Sequence, residues 1–392
     1  MTGRQWLVAV PGVVLFFVSC AVVRGGLFDS ARYGDAEYYG GYALKMAAGK
    51  WPYRDFFDEY PVLAQPLFYA VHLLPGSFVS SFRWTMAVFG AAALVLMIVA
   101  MRGPLHRLAI AAAVAGVSPL LVGPVFLNTY DMFPALLTIA AIVAFLHERE
   151  RTTYVLLALA VAAKVYPVVI VPIVLVETWE HGGRVAVRRA LAWFFGVLVL
   201  VHLPFAILGP GGLRFSYWTQ LKRGLEIESL GGAIVLVLDR LGLYTATLRD
   251  QAPGSKDAVG TLPDLLAVLS SLVVIAAVAW VTWLYVRGRR DRLLAAAAAV
   301  TAFVAFGKVL SPQYVVWLVP LVPATGLAAS AVFVAAMALT HAEFNRFGPH
   351  GTTAHWGQVL SWWIFARDLV LVALFFLIAL RLRAGPRSRS PR

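Results

Sequence analysis

RYGDAEYYGGYALKMAAGKWPYRDFFDEYPVLAQ, Arg32 to Gln65, is a polar, aromatic loop strung between long apolar runs, and that contrast decides the fold. With Asp29 just ahead of it, the stretch gathers Asp35, Glu37, Asp55, Asp58 and Glu59, six of the 20 acidic residues in the chain. Carboxylates concentrated beside a bilayer but outside it are placed to meet a cationic or hydroxylic partner. A merely solvated loop is the simpler reading. Against it, the loop is aromatic, and its Glu59-Tyr60-Pro61 end runs straight into an apolar segment.

The 392 residues are 60% hydrophobic and 14% charged, and mean hydropathy is +0.78. A soluble domain is about 45–50% apolar and 25% charged, so the chain reads as a polytopic membrane protein. The single Cys20 lies in the first apolar run, which excludes an intrachain disulfide framework and a cysteine metal site. A formal net charge of +13 suits cytoplasmic loops facing anionic lipid better than a nucleic-acid partner, and none is expected. The sequence has no P-loop and no Rossmann fingerprint, which argues against ATP or a nucleotide-sugar donor. The run Trp6–Val23 follows Arg4 and lacks a clear small-x-small cleavage site, so it reads as a retained first helix rather than a signal peptide.

A crossing helix needs about 20 residues at 1.5 Å each. Lys and Arg placed inside then set the order. Trp6–Val23 goes out to the acidic loop. If Pro61–Leu74 crossed, Arg102 and Arg107 would fall outside, so it is read as a helix lying flat on the outer face. Arg83–Met101 runs in, Leu108–Val122 out, and Met132–Leu146 in to HERER. Thr153–Val176 lies between two basic segments and is read as two short helices broken at Lys164-Val165-Tyr166-Pro167. Leu191–Leu208 leads to a long outer loop, Gly209 to Leu262, expected to hold amphipathic helices on the membrane. Pro263–Val286 returns to RGRRDR, and Leu293–Leu310 goes out. Val315–Pro323 and Leu327–Leu339 form another short pair before an outer loop, His341 to His355, and the last span, Trp356–Leu380. The expectation is about 12 spans with both termini cytoplasmic. They form a single domain over 1–383, with outer loops 25–82 and 209–261 and a disordered basic tail at 384–392.

This order brings Asn128-Thr129-Tyr130-Asp131, Lys164 with Tyr166, and Lys308 through Gln313-Tyr314 to the face of the acidic loop, with Arg223 to Ser229 above them. A charge inside a span costs about 2.5–3.5 kcal/mol on insertion scales, so Asp131, Lys164 and Lys308 need partners. They are functional candidates, or Asp131 pairs with Lys164 or Lys308 as structural glue.

The motifs carry a likeness. Asp35…Tyr38-Tyr39…Gly49…Pro52-Tyr53…Asp55-Phe56…Glu59-Tyr60-Pro61 resembles the first outer loop of the GT-C superfamily of polyprenyl-phosphate-sugar-dependent glycosyltransferases, and within it the actinobacterial mannosyltransferases of glycosyltransferase family 87. Asn128…Asp131…Pro134, Lys164-Val165-Tyr166-Pro167, Arg223-Gly224…Glu226…Glu228-Ser229 and Ser311-Pro312-Gln313-Tyr314…Trp317 resemble later stretches of that family, in the expected order. The resemblance implies an all-α GT-C fold in the plasma membrane with extracytoplasmic juxtamembrane helices. It also implies transfer of a sugar, by family habit mannose, from a polyprenyl-phosphate donor to a hydroxyl of a glycolipid or cell-envelope glycan. Asp35 matches the family's catalytic aspartate and is assigned as general base, with Glu37 its nearest rival. A single displacement on the family's β-linked donors implies inversion.

Such a transfer needs a base for the acceptor hydroxyl, cations for the leaving phosphate and an apolar groove for the lipid. Arg223 is favoured for the phosphate because its fork is planar and bidentate, with Lys164 and Lys308 as alternatives. Tyr38, Tyr39, Tyr53, Tyr60 and Tyr314 either stack on sugar or sit in the interfacial aromatic belt. His341, His350 and His355 are a second base, phosphate contacts or solvated loop residues. Glu59, Tyr166, Glu228, Ser229 and Gln313 complete the expected substrate-binding set. No cofactor is expected. Some relatives hold a divalent metal between first-loop and second-loop carboxylates, but Asp35 and Asp131 show no tight ligand spacing, so none is expected to be essential. The main alternative is a polyprenyl-lipid flippase or secondary transporter. The polar residues gather at one surface rather than at the midplane between repeats, which weighs against it.

Overall fold

A computed structural model of the chain describes residues 1–27, 34–252, 255–347 and 361–383. Helix α1 (Gly3–Val22) begins at a capping box in which Thr2 and Gln5 satisfy each other's backbone N–H groups. The Gln5 amide also donates to the carbonyls of Ile98 and Met101, at the end of α4 (Phe78–Ala100). Carbonyls in the last turn of a helix lack the usual i+4 N–H, so the contact ties the two helix ends together. Both helices pack on α5 (Leu105–Val122).

Among the described residues, six helical stretches are long and apolar enough to cross a membrane: α1, α4, α5, Tyr166–Leu208, α12 (Thr261–Arg287) and α15 (Ser361–Arg383). Three more apolar helices are shorter: α7 (Met132–Leu146), α13 (Arg292–Phe306) and α14 (Leu327–Phe347). The chain is thus a multi-pass membrane protein. The described residues do not form twelve full-length crossing helices, and several of the expected spans are half-length or 3-10 pieces.

Two of those pieces refine the expectation. Helix α8 (Glu150–Ala163) stops at Lys164, whose backbone is extended, and a 3-10 turn (Tyr166–Ile170) follows at Pro167. The partner segment follows as the first part of α9 (Val171–Leu208), a short helix that ends where Gly183 leaves helical backbone at φ +56 and ψ −149, and a second helix runs from there to Leu208. Nor is Val315–Pro323 an α-helix. It is covered by 3-10 turns at Pro312–Leu318 and Pro323–Thr325, because Pro312, Pro320 and Pro323 remove the N–H groups that an α-helix would use.

Ion pairs identify the two ends of the bundle. At one end Arg189 meets Glu150 (2.9 Å), Arg290 meets Glu180, Arg292 meets Glu177 (2.8 Å), and Arg381 reaches the Thr325 carbonyl. The opposite end carries Asp35, Asn128, Asp131, Lys164, Arg223 and Lys308.

Ahead of the first loop α1 runs on as a π turn to Leu27, and after it α4 starts at Phe78, capped by Ser77. The loop contains α2 (Ala36–Ala47) and α3 (Ala64–His72). Nine residues span only about 13 Å, too short to cross, in keeping with a flat helix. Helix α6 (Val125–Asn128) is a single turn ahead of Asp131.

The long loop holds α10 (Pro210–Leu221) and α11 (Leu230–Arg240), and also an antiparallel sheet that the all-helical expectation omitted. Its strands, β1 (Leu225–Glu226), β2 (Thr247–Ala252) and β3 (Ser255–Val259), lie in the order β1-β3-β2. Opposite charges face each other across it, Arg249 with Asp257 and Asp250 with Lys256, which favours this register. Asp29, His350, His355 and the tail 384–392 lie outside the described residues.

Candidate active site

Asp35 sits just before α2. Gly34, at φ +111, lets the backbone pass so close to Asn128 that a Cβ would stand 2.5 Å from that residue's Cβ. The Asp35 N–H donates to the Asn128 carbonyl (3.0 Å), while Arg83 Nε on α4 donates to the Asn128 side chain (2.7 Å). Asn128 therefore holds Asp35 from behind.

Both hydrogen bonds to the Asp35 carboxylate fall on Oδ2, from the hydroxyls of Tyr39 (3.1 Å) and Tyr60 (3.2 Å). Oδ1 has no partner among the described residues. Burial pushes the Asp35 carboxyl above the usual carboxylate range, and Asp131 adds to this, while the two tyrosines and Lys164 pull it back. Glu59 is raised for the same first reason and then by Asp35, against Arg223 and Lys164. A half-buried carboxylate with one open oxygen and an elevated pKa can accept a proton from a bound hydroxyl.

Tyr60 is fixed at both ends. Its backbone N–H donates to Asp58 Oδ1 (2.8 Å), and its ring packs edge-on against Tyr39, Phe68 and Tyr130. Asp58 is fully buried, its Oδ2 lacks a partner among the described residues, and burial raises its carboxyl to about 7 against the pull of the Tyr60 N–H and Gln65.

Beyond Tyr130 lies the ion pair that the sequence left open. Lys164 Nζ donates to Asp131 Oδ1 (2.6 Å), which also accepts from Trp317 Nε1 (2.6 Å). The ammonium sits over the rings of Tyr130, Tyr314 and Trp317, and Trp317 is sandwiched between Tyr166 and Tyr314 at 4.1 and 4.0 Å. Of the two readings, the structure shows Asp131 and Lys164 as partners. Tyr166 is fully buried, with its hydroxyl on Thr138 (2.9 Å).

Arg223 engages only Nη2, with Glu226 (3.1 Å) and Ser255 (3.0 Å), so its Nε and Nη1 are open among the described residues. Lys308 donates to the Leu221 and Arg223 carbonyls (3.1 and 2.6 Å), shaping this turn rather than offering a free cation. Glu228 and Ser229 are buried beneath it. Ser229 caps α11, and Glu228 is pushed well up by burial and by Glu343 and Glu226. Gln313 and Tyr314 lie partly exposed beside this group, whereas Glu37 and Tyr38 are exposed on the first turn of α2.

Two placements differ from expectation. His341 is on α14, not in a loop, and its Nδ1 meets the Leu120 carbonyl (2.8 Å) at the end of α5. That contact ties α14 to α5. Tyr53 stands at φ +63 and bonds the Tyr60 carbonyl, and Gly212 of α10 approaches so closely that a Cβ would lie 1.8 Å from the Tyr53 oxygen. That approach clamps the first loop to the long one.

Residues that motif reading passed over include Asp58, Gln65, Arg83, Asp257 and the buried group Glu343, Arg367 and Asp368. The last group carried a signal, since charges inside an apolar run need a reason. Among the described residues, no three His, Cys, Asp or Glu side chains group as a metal site would.

The model of glycosyltransferase family 87 matches residues 57–312, well over half of the chain. No curated protein matches significantly. Solved structures similar to the chain include ArnT from Cupriavidus metallidurans bound to undecaprenyl phosphate, at 15% identity and TM-score 0.48, over 97% of this chain and 77% of that one. The same enzyme in the apo state is similar at 14% identity and TM-score 0.47, over 95% and 77%.

Proposed function

Because this chain belongs to glycosyltransferase family 87, we propose that it moves a sugar, mannose by family habit, from a polyprenyl-phosphate donor to a hydroxyl of a glycolipid or cell-envelope glycan. The reaction inverts the anomeric centre. The acceptor O–H gives its proton to Asp35 Oδ1 as its oxygen bonds to the anomeric carbon. The bond from that carbon to the phosphate oxygen breaks, and the electron pair leaves with the phosphate. Arg223, through its open Nε and Nη1, opposes the charge that develops there. Asp131 and Lys164 neutralise each other and hold the aromatic floor of Tyr130, Tyr314 and Trp317. The site end of the bundle is extracytoplasmic and the Arg-rich end, with both termini, is cytoplasmic.

The observation that carries this reading is the Asp35 carboxylate itself, buried enough to be basic and left with one open oxygen. The test uses full-length protein in proteoliposomes with polyprenyl-phosphate [³H]mannose and a crude glycolipid acceptor fraction. Label should pass to the glycolipid with wild type and not with Asp35→Asn. Movement of the labelled lipid between leaflets without transfer, or no transfer from any polyprenyl-linked sugar, would overturn the proposal in favour of a flippase.

A further inference from the structure

Behind Arg223 lies a second charged group that the transfer reaction does not use. Arg367, in the second turn of α15, is fully buried. Its Nη1 donates to Glu343 of α14 (2.6 Å), its Nε to Asp368 (3.0 Å), and its Nη2 to the backbone carbonyl of Glu228. The fork thus reaches two membrane helices and the outer loop at once. Single oxygens of Glu228, Glu343 and Asp368 are buried without partners, so one guanidinium faces three carboxyl groups.

From Glu228 the connection continues in short steps. Ser229, next in the chain, caps α11 through the Gly232 N–H (3.2 Å) and donates its hydroxyl to the Glu226 carbonyl (2.7 Å). The Glu226 carboxylate, in turn, receives Arg223 Nη2 (3.1 Å). Gly232 lies so close that a Cβ would stand 2.2 Å from the Glu226 oxygen, so this turn has little freedom to shift on its own. Glu343, Arg367 and Asp368 all lie beyond residue 312, outside the part of the chain that the family model matches.

We infer that Arg367 is a positioning residue for Arg223: by holding the Glu228 carbonyl, it sets the 223–229 turn at the height where Arg223 meets the donor phosphate. A planar fork is required because three acceptors on three elements must be met together. Lysine could satisfy the charge but not the geometry. The inference rests on the role given to Arg223 above.

A double-mutant cycle on full-length protein in proteoliposomes tests it, with initial rates over a range of polyprenyl-phosphate mannose. Arg367→Lys and Arg223→Ala are made singly and together. Arg367→Lys should raise the donor KM at least tenfold with a smaller fall in kcat. In the Arg223→Ala background it should change the donor KM less than threefold, because the residue it positions is gone. Arg367→Gln with Glu343→Gln, which removes one charge of each sign, should give the same KM pattern and serves if Arg367→Lys does not fold. A full, additive effect of Arg367→Lys on top of Arg223→Ala, or a loss in kcat with donor KM unchanged, would overturn the inference. Failure of wild type to transfer sugar at all would instead refute the proposed function.

Discussion

Replacing Lys164 with Met removes the cation against which Asp131 is buried. That carboxylate is 1% exposed, and the lost contact is 2.6 Å, leaving Trp317 Nε1 as its donor among the described residues. Breaking a buried pair from one side costs about 3–5 kcal/mol, because the remaining charge stays dry and uncompensated. Unfolding entropy near 2.1 cal/mol/K per residue gives about 0.8 kcal/mol/K for 392 residues, so the midpoint should fall by about 4–6 °C. Removing both charges with Lys164→Met and Asp131→Asn should recover most of that loss. Thermal unfolding in detergent, followed by tryptophan fluorescence, reads both effects. The double variant should also regain transferase activity, since Arg223 rather than Lys164 is assigned to the phosphate. An unchanged midpoint in Lys164→Met, or a double variant no more stable than the single, would refute the reasoning.

Tyr60→Phe deletes a hydrogen bond that lowers the Asp35 pKa, so the acid limb of kcat/KM should move to higher pH, as a pH–rate profile would show. Asp58 has a folded pKa raised to about 7, so the stability it contributes is fully present in acid and is lost as pH rises towards 7. Asp58→Asn, which mimics the protonated carboxyl, should therefore unfold at a higher temperature than wild type at pH 8, with the difference shrinking as pH falls and vanishing below about pH 4. Gly212→Val drives a side chain into the Tyr53 carbonyl and should destabilise by about 1–3 kcal/mol, with faster proteolysis of the first loop.

Much of this arrangement was legible in the chain. Long apolar runs marked the membrane helices, and the break at Lys164 followed from Pro167 and from the charge on either side. The residues that meet at the site could be gathered because topology alone brought Asp35, Asn128, Asp131, Lys164, Arg223 and Lys308 to one end. Their division of labour could not. Whether Lys164 is free or held by Asp131 depends on a few ångströms of approach between α7 and the end of α8, which spacing does not encode. The sheet in the long loop escaped notice because strands of two to six residues leave little periodicity beside strong apolar helices. Arg367 and Asp368 were hidden by the hydropathy of the run around them, although two adjacent charges in a span are themselves a sign.

The central claim, that the Asp35 carboxylate takes the acceptor's proton, is tested most directly by kcat for sugar transfer in wild type and Asp35→Asn, each verified as folded by its unfolding midpoint. The account predicts a loss of about 10²–10⁴-fold with the midpoint kept. A folded Asp35→Asn variant that transfers sugar at close to the wild-type rate would contradict it.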